Sequence, residues 1–450
     1  MRPQATQYLY FGKRTVSSLT SHMLVSGKSG SGKSNLGEWI CRQYAQKGVI
    51  VFDLWDSGRM ENHLYGIEEM NARKRQMLEV YTRRMMGPGG CDSTILWLAG
   101  KGLERFKQIP ECIKLARFEP DDLRIDDLLL LFGETDARRS LLAEIELRHG
   151  SISFLEAKKY LQRYTQGRSY MRNQAIALLH RIFRWEASGM FSAGIDALDI
   201  EQLAQGKPGI ISISTIAMDM DVEPIAYAIL LGKIYELKRR GLIRQPVVVY
   251  IREIASWMEP EYAPAARRLL RILREGRDYG ITLICDTQRP NDMLPKFRRQ
   301  FGYHVMMRLD FEEAKVSGEW QYVPASILQN LSGLAPGQFI VLTGAEWQYP
   351  GQAPPTPHRH KTPGLDVLAL LGEEHGWKDL DHAALFPKTA VPDLDRPEDE
   401  KQEKPSDKLA AWLSENPHCR TETLLKRAKA FKVSRAQAYR LREAAQNETT

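Results

Sequence analysis

The sequence predicts an α/β fold: a mostly parallel sheet flanked by helices, interrupted by a helical insertion and followed by a small all-α unit. Three observations predict it. Between His22 and Asp53 an apolar run, a glycine-rich loop, a helical pattern and a second apolar run follow one another directly. Between Gly209 and Leu342 short apolar runs alternate with helical patterns. Parallel strands need a crossover connection, usually a helix, so this alternation reads as a doubly wound sheet. After residue 386 a charged, proline-containing stretch leads into a short helical tail.

In chain order, the first expected strand is His22–Val25, running into Gly27. A helix is expected over Ser34–Gln46, stopped by Gly48, because glycine readily takes the left-handed conformation that ends helices. Val49–Phe52 is the second strand, ending at Asp53. From about Ile67 to Gln205 the spacing predicts a mostly helical stretch, periodic over Asp136–Arg148, Phe154–Tyr164 and Tyr170–Ser188. The α/β pattern resumes with strand Gly209–Ser214, helix Val222–Arg240, strand Val247–Ile251 and helix Ala263–Tyr279. Strands Ile281–Cys285, Tyr303–Arg308 and Gln338–Leu342 complete it, punctuated by Gly280, Gly302 and Gly337. The expected organisation is a core of 1–66 and 206–349, a helical insertion of 67–205, and an extended tail of 350–386 with a short helix near Leu365–His375. A linker of 387–406 and a helical unit of 407–450 follow.

The 450 residues suffice for two or three units, and 43% apolar with 26% charged residues is an ordinary globular balance. The net charge of +7 suits a polyanionic partner without singling one out. Five cysteines (Cys41, Cys91, Cys112, Cys285 and Cys419) form no CxxC pair, which reads as reduced thiols in a cytoplasmic protein. His358 and His360 sit in a proline-rich stretch without the further ligands that zinc needs. The start of the chain lacks the apolar core of a secretory signal, and runs such as Leu128–Phe132 are far short of a membrane span. The expectation is a soluble protein that meets membranes only through a partner.

Gly27–Ser34 reads GKSGSGKS and fits GxxxxGK[ST], with Gly27, Gly32, Lys33 and Ser34 at the fixed positions. Small residues let backbone N–H groups wrap phosphates, and the following helix points its positive end at the same anion. Lys33 can reach the β and γ phosphates, and the Ser34 hydroxyl can ligate magnesium. The expected contacts to ATP are therefore Gly27, Lys28, Ser29, Gly30, Ser31, Gly32, Lys33, Ser34 and Asn35, with Mg2+ as the companion ion.

A hydrolase of this kind needs carboxylates at the end of a buried strand, one for magnesium and one for the attacking water. The strand Val247–Ile251 is followed by Arg252 and Glu253. Glu253 stands where a general base is needed, and a surface carboxylate paired with Arg252 is the alternative. Arg252 stands where the magnesium-side Asp is expected. Asp53 or Asp286, each at a strand end, is the candidate replacement.

With these residues in view, the chain resembles the HerA/FtsK superfamily of hexameric DNA-translocating ATPases. The resemblance rests on GKSGSGKS, on VIVFDLWDSGRME at Val49–Glu61, on VVVYIREIASW at Val247–Trp257, and on GRDYGITLICDTQRPNDMLPKFRRQF at Gly276–Phe301. It covers about Ser21–Gly344 and implies a P-loop NTPase fold with a RecA-like sheet. It also implies that Gln288 is a polar sensor beside the γ phosphate. Arg277 becomes the candidate finger toward a neighbouring subunit's nucleotide, with a cation on a helix C-terminus as the alternative. Arg267, Arg271, Arg274, Arg298 and Arg299 are either channel-facing cations, or a solvated face or intersubunit salt-bridge surface.

From Lys404 to Thr450 ten Lys and Arg stand against five Asp and Glu, a net of +5. Asp407–Glu415, Arg420–Phe431 and Arg435–Ala445 read as three helices, the last capped by Ser434. This looks like a helix-turn-helix unit, with Arg435, Gln437, Tyr439, Arg440 and Arg442 as exposed DNA contacts, or like a small docking unit. The expectation is a hexameric ring moving double-stranded DNA with ATP, serving mobile-element transfer, viral packaging or end processing beside a nuclease, portal or conjugation partner. A nucleotide-gated DNA binder with little turnover and a secretion-type ATPase moving protein are the rivals.

Overall fold

A computed structural model of the protein describes residues 10–11, 14–15, 20–55, 93–129, 132, 136–166, 171–191, 197–206, 209–219, 222–315, 323–343, 346–352, 367–386 and parts of 409–443. Its centre is a sheet of ten strands. These are β1 (Met23–Ser26), β2 (Ile50–Trp55), β3 (Ser93–Leu98), β4 (Ile113–Ala116) and β5 (Ile210–Ser214). They continue with β6 (Val247–Ile251), β7 (Ile281–Thr287), β8 (Tyr303–Met306), β9 (Gln338–Thr343) and β10 (Glu346–Gln352). The order across the sheet is β10-β9-β8-β1-β7-β6-β2-β5-β3-β4. All pairs are parallel except β8 with β9 and β9 with β10. Every residue of β6 is buried, as expected of a central parallel strand covered on both faces.

Helix α1 (Lys33–Gln46) lies against one face of this sheet. Leu36, Ile40 and Tyr44 pack with Val25, Val51, Val248, Tyr250, Ile284, Val305 and Val341. The approach is close: a Cβ on Gly37 would lie 2.3 Å from the hydroxyl oxygen of Tyr250. Further helices are α2 (Ala137–His149), α3 (Phe154–Gln166), α4 (Arg172–Ala187), α5 (Glu223–Arg239) and α6 (Ala263–Glu275). Asp136 caps α2 by accepting the Arg138 N–H at 2.8 Å.

Two expectations are corrected. The stretch 67–205 is not mostly helical throughout, because β3 and β4 lie in it and join the main sheet in parallel register. Ile95, Trp97 and Leu98 are at most 1% exposed, and a short apolar run buried on both faces shows no strand periodicity. The core also runs past residue 349. Strand β10 pairs with β9, and Trp377–Asp379 pairs antiparallel with Gln108–Pro110. Helices Val367–His375 and His382–Leu385 bring Leu371 and Leu385 against Ile95, Trp97, Ile109 and Ile113. The tail is thus docked rather than extended.

The chain divides into two compact units, Met1–Val391 and Pro392–Thr450. In the second, Leu409, Leu413, Leu424, Ala428 and Ala438 form a small core that includes helix Thr421–Ala430. Ser434, Arg435 and Gln437 lie outside the described residues. Tyr439 is not an exposed tip: it packs against this core. Arg442 stacks over the Tyr439 ring at 5.3 Å and donates to the Thr421 hydroxyl at 3.3 Å. Arg440 is exposed.

At the start of β1, His22 is 1% exposed, and its Nδ1 accepts the Leu283 N–H at 2.9 Å. Burial, and secondarily the nearby Arg277 cation, push it down to about 4 from 6.5. The folded chain therefore holds His22 neutral, while the unfolded chain protonates it near 6.5. Stability present above that pH is lost as the pH falls toward about 4, by at most about 3 kcal/mol. Urea denaturation at about pH 5 and about pH 7 should show a smaller pH difference for His22→Gln than for the parent chain. Equal differences would place the acid sensitivity elsewhere.

Candidate nucleotide-binding site

The loop between β1 and α1 is fixed by backbone hydrogen bonds from three directions. The Gly27 N–H donates to the Thr287 carbonyl at 3.1 Å and the Lys28 N–H to the Arg308 carbonyl at 2.8 Å. The Gly337 N–H donates to the Ser31 carbonyl at 2.8 Å. Gly30 and Gly32 have φ of 73° and 101°, which only glycine adopts without strain. A Cβ on Gly32 would stand 3.1 Å from the Gly337 nitrogen. The Ser31 hydroxyl is buried with no hydrogen-bond partner among the described residues. A cradle of backbone N–H groups at a helix N-terminus, closed to any larger side chain, fits a chain of phosphates.

Lys33 opens α1 and is 6% exposed. Its Nζ lies 3.4 Å from the Lys28 carbonyl and 3.7 Å from Glu253 Oε1. Glu253 follows β6 with φ 48° and ψ 48°, a left-handed conformation that costs about 1–2 kcal/mol outside glycine. Its N–H donates to Asp286 Oδ1 at 2.8 Å. Gln288 grips its carboxylate twice, side-chain Nε2 to Oε1 at 2.8 Å and backbone N–H to Oε2 at 3.2 Å. Three of the four expected catalytic residues, Lys33, Glu253 and Gln288, thus come together at the loop. Asp286 is 1% exposed and also accepts the Tyr250 hydroxyl at 2.6 Å. Burial raises its pKa despite the two donated hydrogen bonds.

Arg252 does not pair with Glu253. Its Nη2 lies 3.0 Å from Asp53 Oδ2 and 3.4 Å from Glu38 Oε1. Glu38 and Asp53 are 0% and 1% exposed. The cation therefore serves two buried carboxylates from neighbouring elements, α1 and β2. Both candidate magnesium carboxylates are already engaged, Asp53 by Arg252 and Asp286 by Tyr250 and the Glu253 N–H. Ser34 is half-buried in the first turn of α1.

Sequence reasoning missed Glu38, Tyr250 and Arg308. Glu38 sits four residues after Ser34 and four before the likewise buried Arg42, so α1 buries charged residues among its apolar ones and no clean apolar stripe set Glu38 apart. Arg277 lies in the 3₁₀ turn Gly276–Tyr279, at the opposite end of β7 from Thr287, so it does not approach its own loop. Arg298 is 5% exposed and donates to the Pro290 carbonyl at 2.9 Å, so it does not face a channel. Arg271 pairs with Glu275 and lies over Tyr235, whereas Arg267, Arg274 and Arg299 are exposed.

Removing Arg252 would leave two buried carboxylates without their cation. Arg252→Ala should lower the unfolding free energy by about 3–5 kcal/mol, and Arg252→Asp by more, because it adds a third carboxylate. Chemical denaturation checks this, and an Arg252→Asp variant as stable as the parent would overturn the neutralising role.

Residues 14–222 match the family model described as the central domain of the helicase HerA. A comparison with curated protein sequences found no match. Among solved structures, the chain is similar to VirB4 of Thermoanaerobacter pseudethanolicus, with 15% identity over 72% of this chain and 87% of that one, TM-score 0.49. It is similar to the plasmid coupling protein TrwB in complex with ADP and Mg2+, with 14% identity over 80% and 92%, TM-score 0.44. It is also similar to the genome packaging NTPase B204 of Sulfolobus turreted icosahedral virus 2, with 10% identity over 73% and 96%, TM-score 0.30. The phosphate loop at Gly27–Ser34 thus lies inside the span, residues 14–222, that is similar to the central domain of the helicase HerA.

Proposed function

We propose that the protein is an ATP-driven motor that moves double-stranded DNA. The convergence of Lys33, Glu253 and Gln288 on one end of the loop carries the reading. In it, the loop N–H groups and Lys33 hold the phosphates of ATP. Glu253 orients the attacking water and takes its proton, and Gln288 holds that carboxylate while sensing the terminal phosphate. The Ser34 hydroxyl would hold magnesium, which when bound would neutralise part of the phosphate charge.

The rival with little turnover draws on Arg252 as a misplaced cation. The Arg252 guanidinium pairs with Asp53 and Glu38, so its charge is spent on two buried carboxylates rather than on the nucleotide, which weakens that rival's motivating feature. Ring assembly, probed by mass in solution, would let Arg277 of one subunit reach the nucleotide of the next. The exposed Arg440 and the basic C-terminal unit are the proposed contacts to duplex DNA. A cytoplasmic setting beside a nuclease, portal or conjugation partner fits this reading. Protein as the cargo, in the manner of a secretion ATPase, is the remaining alternative.

Steady-state ATP hydrolysis with and without linear duplex DNA tests the motor. Turnover should rise with DNA, vanish in Lys33→Ala, and fall about 100-fold or more in Glu253→Gln while ATP binding persists. Gln288→Ala should lower turnover about tenfold, because the side-chain contact to Glu253 Oε1 would be lost while the backbone contact remains. Robust turnover that ignores DNA would favour protein as the cargo, and tight ATP binding without turnover would leave the gated binder.

A further inference from the structure

The end of β8 brings to the phosphate loop a cation that the motor reading does not use. Arg308 lies two residues past β8, and its carbonyl accepts the Lys28 N–H at 2.8 Å, so its backbone is tied to the loop. Met307 is buried beneath: its Cβ would stand 2.9 Å from a Cβ on Gly27, and its Cε 3.4 Å from one on Gly32. With Met307 under the loop, Arg308 is turned to the loop's outer side. Its Nη2 is 3.9 Å from the position of a Cβ on Gly30. The nearby Asp310 carboxylate is paired with Lys28. Among the described residues no carboxylate pairs with Arg308.

Strand order makes this side of the loop distinct. β1 lies between β7 and β8, so Gln288 and Glu253 flank the loop from the β7 side and Arg308 from the β8 side. A half-buried guanidinium beside the phosphate loop and the N-terminus of α1, with the nearby Asp310 carboxylate taken up by Lys28, is placed to meet an anion held in the loop. We propose that Arg308 contacts the terminal phosphate of the bound nucleotide from within the same subunit, and so favours triphosphate over diphosphate. The proposal rests on the nucleotide-binding reading of the loop.

Calorimetric titration of the full chain with ADP and with a non-hydrolysable ATP analogue, both with magnesium, tests it. Arg308→Ala should weaken the analogue about tenfold and ADP less than about threefold, with Arg308→Lys between parent and Arg308→Ala. The ratio of the two affinities is the readout, since a merely structural role would move both together, and the melting temperature of the nucleotide-free variants monitors folding. An unchanged ratio in Arg308→Ala would overturn the role of Arg308. A parent chain that binds neither nucleotide would instead overturn the reading on which the proposal rests.

Discussion

Left to itself, a loop built on Gly27, Gly30 and Gly32 would sample many shapes, since glycine loses more freedom on folding than any other residue. Here the ends of β7 and β8 and the turn before β9 each contribute one backbone hydrogen bond to it. The partners are not neutral anchors. Thr287, which takes the Gly27 N–H, immediately precedes Gln288, and Arg308 takes the Lys28 N–H with its own carbonyl. The bonds that shape the phosphate cradle thereby also set its distance from the side chains that flank it.

The second constraint is the reversal of direction after β6. Ile251 ends a fully buried strand, and the next two residues diverge: Arg252 turns toward α1 and β2, and Glu253 toward the loop. That divergence passes through the positive φ at Glu253, which Asp286 holds by accepting its N–H. Asp286 is itself fixed by the Tyr250 hydroxyl, and the Tyr250 ring occupies the space where a side chain at position 37 would stand. Helix α1 therefore touches Glu253 twice, directly through Lys33 and indirectly through the Gly37, Tyr250 and Asp286 chain of contacts. Backbone strain at a site residue persists only where the surroundings over-determine it, and this arrangement meets that condition.

What was legible in the sequence follows the physics of each signal. The phosphate loop was legible because its chemistry demands specific residues at fixed spacing, and β6 because five consecutive apolar residues end at charged ones. The strands β3 and β4 were not: the apolar run Ile95–Leu98 of β3 is buried on both faces and carries no periodicity, and β4 is a four-residue edge strand carrying the exposed Lys114, both beside strongly periodic helices. The docked tail was hidden because its anchors, Leu371 and Leu385, are isolated apolar residues whose partners lie more than two hundred positions earlier. The pairing of Arg252 with Asp53 and Glu38 was hidden for the same reason: adjacency suggested Glu253, whereas the fold supplies partners from 199 and 214 positions away.

The double grip of Gln288 on Glu253 has a geometric consequence for coupling. Both donors of Gln288, backbone and side chain, are committed to one carboxylate. The carboxylate is thereby tied to the backbone at position 288 as well as to a side-chain amide. The chain continues from there into the turn Pro290–Asp292, whose Pro290 carbonyl is bound by Arg298 from the short helix Pro295–Arg298. Between them lie the exposed side chains of Leu294 and Lys296. The carboxylate is thus connected through this stretch of backbone to a surface segment of about eight residues. The hydrogen bonds that position the chemistry are the same ones that would carry its outcome outward.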